Sequence, residues 1–254
     1  MLICSQGFYA PKRGNVASEY EDAYFPERAC QRQDIAEFRC AVADGASESA
    51  FSKEWARLLV RRRYQGQRLS FALLKRCWLR RVTSKPVPWY LEEKIRRGAH
   101  ATLVELSIRD PKPSKPSGGP WKAAAVGDSC LFHVRDGRLL TVAPITQSDK
   151  FNNHPNLVST DSSASFGLDE SRIKVVSGKW LPSDAFYLLT DALAEWTLTR
   201  HEAGEPPWSL FHSLGRDGDS DPEGQQSFEA LVADLRENGG LHNDDTTLLR
   251  VEVT

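Results

Sequence analysis

A chain of 254 residues with 40% apolar and 26% charged side chains has the make-up of an ordinary globular protein, large enough to bury a substantial core. Lys and Arg number 33 against 34 Asp and Glu, so the chain lacks the basic excess of a general nucleic-acid or anionic-membrane binder, and neither partner is expected. The five cysteines are odd in number and show no C-x-x-C pair, no apolar run reaches the ~18–20 residues of a membrane span, and "MLICSQGFYAPKRG" has no signal-peptide pattern; a cytoplasmic protein with reduced thiols is expected.

In chain order, "FRCAVAD" at 38–44 is the first strand-like apolar run. A helical stripe follows, with Phe51, Trp55, Leu58 and Leu59 on one face. A second stripe combines Leu91, Ile95, Ala99, Leu103 and Leu106, so two long helices are expected between the first strand and "WKAAAVG" at 121–127. The basic stretches "RRRYQGQR" and "KRCWLRR" between them read as solvated helix faces. "CLFHVRD" at 130–136 and "RLLTVA" at 138–143 are separated by Asp136-Gly137, a strong hairpin signal. "AFYLLT" at 185–190 and "TTLLRVEV" at 246–253 are further strands. Between these two, Phe228, Leu231, Val232 and Leu235 form a third helical stripe, ended by Gly239-Gly240. The stretches 110–120, 146–165 and 200–226 are rich in Pro, Gly, Ser and Asp and read as long loops or connections.

Strands come singly or in hairpins, without βαβ alternation. A parallel doubly wound sheet is therefore disfavoured, and an α+β fold of antiparallel sheets covered by helices is expected, as a single domain over 1–254.

The chemistry lies where strands stop. "CAVADG" runs a buried strand straight into Asp44-Gly45. Alone, that dipeptide is an ordinary turn. The same junction recurs at Asp128 in "AAAVGDSC", at Asp191 in "FYLLTDALAEW" with Glu195 one helical turn later, at Asp244-Asp245 before the last strand, and at Glu21-Asp22 before "AYF". Carboxylates gathered at one end of a sheet repel each other unless cations join them or protons stay on, and oxygen-only donors select Mg²⁺ or Mn²⁺ over zinc. A pair of such ions suits hydrolysis of a phosphoryl group.

The ordered set "EDAYF", "VADGASES", "AVGDSCLFHVRDGRL", "FYLLTDALAEW" and "NDDTTLLRVEV" resembles the metal-dependent serine/threonine protein phosphatases, the type 2C (PPM) family, in a divergent bacterial-type branch. The resemblance spans residues 7–254. It implies an α-β-β-α sandwich and a phosphoserine/phosphothreonine phosphatase in which a metal-activated hydroxide attacks phosphorus. It further implies two Mn²⁺ or Mg²⁺ ions, with Asp44 bridging them, the Gly45 carbonyl on the first, and Asp191 and Asp244 on the second. Glu21 and Asp22 would hold metal-bound waters, and Asp128 with Glu195 or Asp191 would form a weaker third site. The implied partners are a phosphorylated protein substrate and a cognate kinase.

The family's phosphate-gripping arginine corresponds to Ala17, and its Asp-Gly-x-Gly-Gly becomes Asp44-Gly45-Ala46-Ser47-Glu48, with no histidine beside it. The nearest upstream bases are Lys12 and Arg13; Arg13 is expected to contribute little, because a flexible loop must be ordered before it helps. A catalytically weak phosphatase-like signalling module and a hydrolase of small phosphoesters stand as alternatives. His133 reads as a strand-face residue, His242 as a neighbour of the acids, and the seven tryptophans as packing residues.

Overall fold

The computed structural model describes residues 1–32, 35–64, 71–84, 86–111, 117–152, 155–161, 172–215 and 222–254. The expected loops at 110–120, 146–165 and 200–226 and the basic stretch at 61–68 therefore lie partly outside the described residues, and of 200–226 the described parts 200–202, 208–213 and 222–226 are helical instead of loop. The strands are β1 (Ile3–Ala10), β2 (Ala23–Phe25), β3 (Cys30–Arg32), β4 (Glu37–Ala43), β5 (His100–Ala101), β6 (Leu103–Arg109), β7 (Gly119–Val126), β8 (Cys130–Arg135), β9 (Arg138–Ala143), β10 (Val158–Ser159), β11 (Lys174–Trp180), β12 (Ala185–Leu189) and β13 (Thr246–Val253). The helices are α1 (Ser52–Tyr64), α2 (Phe71–Val82), α3 (Trp89–Arg97), α4 (Asp191–Glu202), α5 (Trp208–Ser213) and α6 (Pro222–Asn238).

Two antiparallel sheets form the centre. One has six strands in the order β3-β1-β13-β12-β8-β9, the other five in the order β11-β7-β6-β4-β2. Alternation along single strands shows how they are layered, because successive side chains leave a strand on opposite faces. On β12, Phe186 and Leu188 enter a core shared with Phe38, Cys40, Val104 and Trp121 of the other sheet, while Tyr187 and Leu189 pack with Trp196, Phe211 and Phe228 of α4–α6. On β4, Phe38, Cys40 and Val42 point into the shared core, and Ala41 and Ala43 lie under Trp55 and Leu59 of α1. The result is the expected α-β-β-α sandwich. The Asp136-Gly137 turn is also as expected, with positive φ at both residues (49° and 72°), the backbone that a tight hairpin of this twist requires.

Two helical stripes need correction. Phe51 has φ +57° and precedes α1 instead of lying on it. The stripe Leu91–Leu106 is not one helix: α3 ends at Gly98, whose φ of +84° leaves the helical region, and a Cβ there would meet Thr160 Oγ1 at 2.7 Å. Beyond it, Leu103 faces α1 and α2 while Val104, Leu106 and Ile108 face the sheet-sheet core. A run such as "LVELSI" satisfies both the helical and the strand period over so short a span.

His133 is the strand-face residue expected. It is buried, stacks on Phe186 at 4.4 Å, and its Nε2 lies 2.7 Å from Asp184 Oδ2. Arg135 Nε and Nη2 donate to the same carboxylate at 2.6 and 2.8 Å. Burial alone would raise the Asp184 carboxyl, but the bonds from Arg135, the Leu181 N–H and His133 bring it below the usual range.

Because Phe186 sits between both sheets with no exposure, Phe186→Ala should cost about 3–5 kcal/mol of folding free energy through a cavity that the two sheets cannot close. Urea unfolding should show this as a lower midpoint at unchanged slope.

Candidate functional site

Strand pairing sends the five strand-end acidic segments to one end of the sandwich. Ala43 pairs with Ala23, Leu103 with Val126, Leu189 with both Cys130 and Leu248, and Ala10 with Thr246. Each pair stands one or two residues from an acidic segment: Asp44 after β4, Glu21-Asp22 before β2, Asp128 between β7 and β8, Asp191 after β12, and Asp244-Asp245 before β13. At this end lies a cleft of about 710 Å³ whose lining includes Asp44, Asp128, Asp191, Asp244 and Lys12. A second cleft, about 480 Å³, opens at the opposite end around Ser183, Asp184, Trp208 and His212 and is lined by none of these acids.

The segments that carry the carboxylates are braced. Asp22 Oδ2 accepts the Thr247 hydroxyl at 2.6 Å, and the Tyr20 hydroxyl lies 2.5 Å from Thr247 Oγ1. Thr247 has one proton, which it gives to Asp22, so Tyr20 must be the donor to Thr247. The Asp44 N–H donates to Thr102 Oγ1 at 3.1 Å, and the Thr102 N–H donates to the Asp44 carbonyl at 2.8 Å. Thr102 Oγ1 also lies 2.6 Å from the Ser129 hydroxyl, tying the Asp44 strand end to the turn that carries Asp128. That turn needs Gly127, with φ +98°; a Cβ would meet Thr102 Cγ2 at 2.7 Å. Gly45 bridges to Ala101, and a Cβ on it would stand 2.8 Å from the Glu21 carbonyl oxygen. Asp191 opens α4, where the helix N-terminus favours negative charge.

The electrostatics are those of crowded acids. Burial, then the neighbouring Asp22 and Asp191 charges, push Asp44 well above the usual carboxylate range. Asp22 is likewise raised by burial, against the lowering bond from Thr247, with Asp245 and Asp191 adding to the rise. Burial and Asp191 lift Asp128 to about 7; burial, against a lowering backbone bond from Ala192, and the charge of Asp244 lift Asp191 to about 6. Asp22 Oδ1 and Asp128 Oδ1 are buried without a hydrogen-bond donor among the described groups. Among the described residues, no three acidic, histidine or cysteine side chains stand in a ready-made coordination arrangement: the carboxylates are gathered, not closed.

The adjacent acids before β13 divide their work. Asp245 is buried and accepts the backbone N–H of Lys12 at 2.8 Å and of Glu21 at 2.6 Å, whereas Asp244 is half-exposed and lines the cleft. Glu21 accepts the Ser52 hydroxyl at 2.5 Å. Glu195 stands at the edge of the group, 3.5 Å from His242 Nε2 and near Asp191. Ala17 and Arg13 are exposed, and it is Lys12 that reaches in, its ammonium 3.6 Å from Asp244 Oδ1. The bracing Tyr20, Thr102, Ser129 and Thr247 were not expected; their one signal is a hydroxyl within three residues of an acid or at a strand start, too common to stand out.

Removing Asp245 frees two backbone donors, so Asp245→Ala should lower folding stability by about 1–3 kcal/mol, read by urea unfolding. Raised carboxyl pKa values mean that the folded, cation-free protein holds protons that the unfolded chain has released. The cluster's contribution to stability should therefore be most favourable below about pH 4 and be lost as pH rises to about 6 and about 7, where Asp191 and Asp128 ionise. Thermal melts in EDTA across this range check the sign, and Asp44→Asn should flatten the slope.

No family model and no curated protein matches this sequence. Solved structures do. The photosystem II phosphatase PBCP aligns over 99% of this chain and 99% of its own, at 14% identity and a TM-score of 0.55. The Mycobacterium tuberculosis serine/threonine phosphatase PstP/Ppp aligns over 100% and 99%, at 14% identity and 0.57. The PstP catalytic domain in complex with 2 manganese ions aligns over 99% and 99%, at 14% identity and 0.50. A likeness this complete in length and this low in identity is one of fold, and the fold of this chain is that of the type 2C protein phosphatases.

Proposed function

We propose that this chain is a metal-dependent phosphoprotein phosphatase, hydrolysing phosphoserine or phosphothreonine. The observation that carries the reading is the set of five carboxylates, Asp22, Asp44, Asp128, Asp191 and Asp244, gathered at one end of the sandwich, with two buried oxygens that have no donor among the described groups. An oxygen-only donor set with surplus negative charge fits Mn²⁺ or Mg²⁺. On this reading Asp44, the Gly45 carbonyl, Asp191 and Asp244 would hold the ions, and Asp128 with Glu195 would offer a weaker further place. The ions would neutralise phosphoryl charge and make a water acidic enough to attack at neutral pH.

The chain's own groups supply the rest. Asp22, fixed through Thr247 and Tyr20, would orient a water at the acid end. Glu21, fixed by Ser52, would orient a second water. Lys12, on the cleft lining, is the ammonium offered to phosphate oxygens in place of a guanidinium at Ala17. Water adds at phosphorus, the P–O bond to the serine or threonine breaks, and the alcohol leaves with a proton. The substrate is a phosphorylated protein, which ties the chain to a kinase that makes it. Among the described residues no helix is long and apolar enough to cross a membrane.

Turnover of p-nitrophenyl phosphate should require Mn²⁺ or Mg²⁺ in roughly the millimolar range, vanish in EDTA, and not return with Zn²⁺. Asp44→Asn should lower turnover by about two orders of magnitude or more at saturating Mn²⁺ while keeping the far-UV spectrum. By calorimetry, Asp244→Ala should weaken Mn²⁺ binding far more than Asp245→Ala. Full activity of the chelated protein would overturn the reading.

A further inference from the structure

Helix α3 has no buried residue. Its inward contacts are the half-buried Leu91, beside Phe51 and Val82, and Ile95, against the core under α1 and α2. On another face, Tyr90, Lys94 and Arg97 stand at positions i, i+4 and i+7, which align along one side of a helix. Lys94 and Arg97 also line the acidic cleft. At the other end of the stripe Tyr90 is 60% exposed and Trp89 82% exposed, their rings edge to face at 6.1 Å. Trp55, Trp78, Trp121, Trp180, Trp196 and Trp208 are all buried, which leaves Trp89 the exception among the seven.

Folding explains part of this helix. Cations in its last turn complement the helix dipole, and Arg97 pairs with Glu93 at 2.7 Å, an exposed pair of little energetic weight. Folding does not explain an aromatic pair held in water on a helix already anchored by Leu91 and Ile95. Neighbouring exposed aromatics, with Tyr90 one helical turn from the cleft-lining Lys94, offer rigid, amphipathic contact area to a polypeptide. Two cations leading from them into the cleft complement an anionic chain entering it.

We propose that α3 is the substrate-reading helix: Trp89 and Tyr90 pack on the polypeptide flanking the phosphorylated residue, and Lys94 and Arg97 bind acidic side chains beside it. This rests on the phosphatase reading and names its substrate class, phosphoproteins with Asp or Glu around the phosphorylated serine or threonine. A small aryl phosphate carries no flanking residues for α3 to read.

The test compares three substrates in Mn²⁺: p-nitrophenyl phosphate, a phosphoserine peptide with acidic flanks, and the same peptide with neutral flanks. In Lys94→Glu/Arg97→Glu, kcat/KM for the acidic peptide relative to p-nitrophenyl phosphate should fall by about tenfold or more, through KM, while the neutral peptide's ratio moves less than about threefold. In Trp89→Ala/Tyr90→Ala, the ratios for both peptides should fall by about threefold or more. Ratios within about twofold of wild type, or equal losses on all three substrates, would overturn the assignment of α3. If the wild-type protein hydrolyses none of the three, the phosphatase reading falls and this inference with it; if it hydrolyses them and the variants keep its selectivity, only the role of α3 falls.

Discussion

Carboxyl groups held together out of water repel one another, and the organisation of this protein's acid end follows from containing that repulsion. Asp22 and Asp44 face each other closely enough that each perturbs the other's ionisation, so with no cation between them protons must remain on the cluster. The backbone that carries these groups would spread if it could. It is held by hydroxyls that add no charge of their own: Thr102 with Ser129 between the Asp44 and Asp128 segments, and Tyr20 with Thr247 behind Asp22. The sixth acid, Asp245, is spent wholly on backbone N–H groups and so acts as a clip. A cluster of this kind costs stability, and the two-sheet core and its helical covers are what sustain the cost.

Much of this was legible before any coordinates, and for a definable reason. Strands that run apolar to their last residue and then end on Asp announce both an element and a boundary, so the segments at Asp44, Asp128, Asp191 and Asp244 could be identified together with their strands. Antiparallel sheets covered by helices followed from hairpins and the lack of βαβ alternation, and their two-layer stacking from the family resemblance. What was not legible had weaker local signals. β1, "ICSQGFYA", carries Ser5 and Gly7 where apolar residues would have marked a strand, and Gly7 is there because Tyr24 lies on it, with ring atoms 2.2–2.8 Å from where a Cβ would be. The run Ala99–Leu106 fits two periods, and only the left-handed Gly98 decides between them. The division of labour between Asp244 and Asp245 depends on where residues 12 and 21 return to the chain's last strand, a long-range contact that no window of sequence contains.

The bases show the same limit. Counting from motif positions points to Ala17 and its upstream neighbours, but the loop after β1 folds so that Lys12 turns inward while Arg13 stays in solvent, its N–H bound to Asn243 Oδ1. Lys94 and Arg97 are farther still along the chain, on a helix whose pattern alone reads as a charged surface. Positive charge reaches this cleft from two unrelated segments, and only Lys12 lies near the place that the ordered acidic motifs suggest.

The position of β13 has a consequence for how the protein comes into being. This strand lies inside the six-stranded sheet, paired with β1 from Ile3↔Val253 to Ala10↔Thr246 on one side and with β12 on the other. While residues 246–253 are still within the ribosome, the nascent chain has two apolar strand edges and no partner to lay between them, a state that invites wrong pairings and chaperone attention. Only the arrival of β13 brings Asp244 and Asp245 to the other acids. Translation must therefore pass this strand before the acid end can form, and a chain cut short upstream of it lacks both Asp244 and the strand that joins β1 to β12.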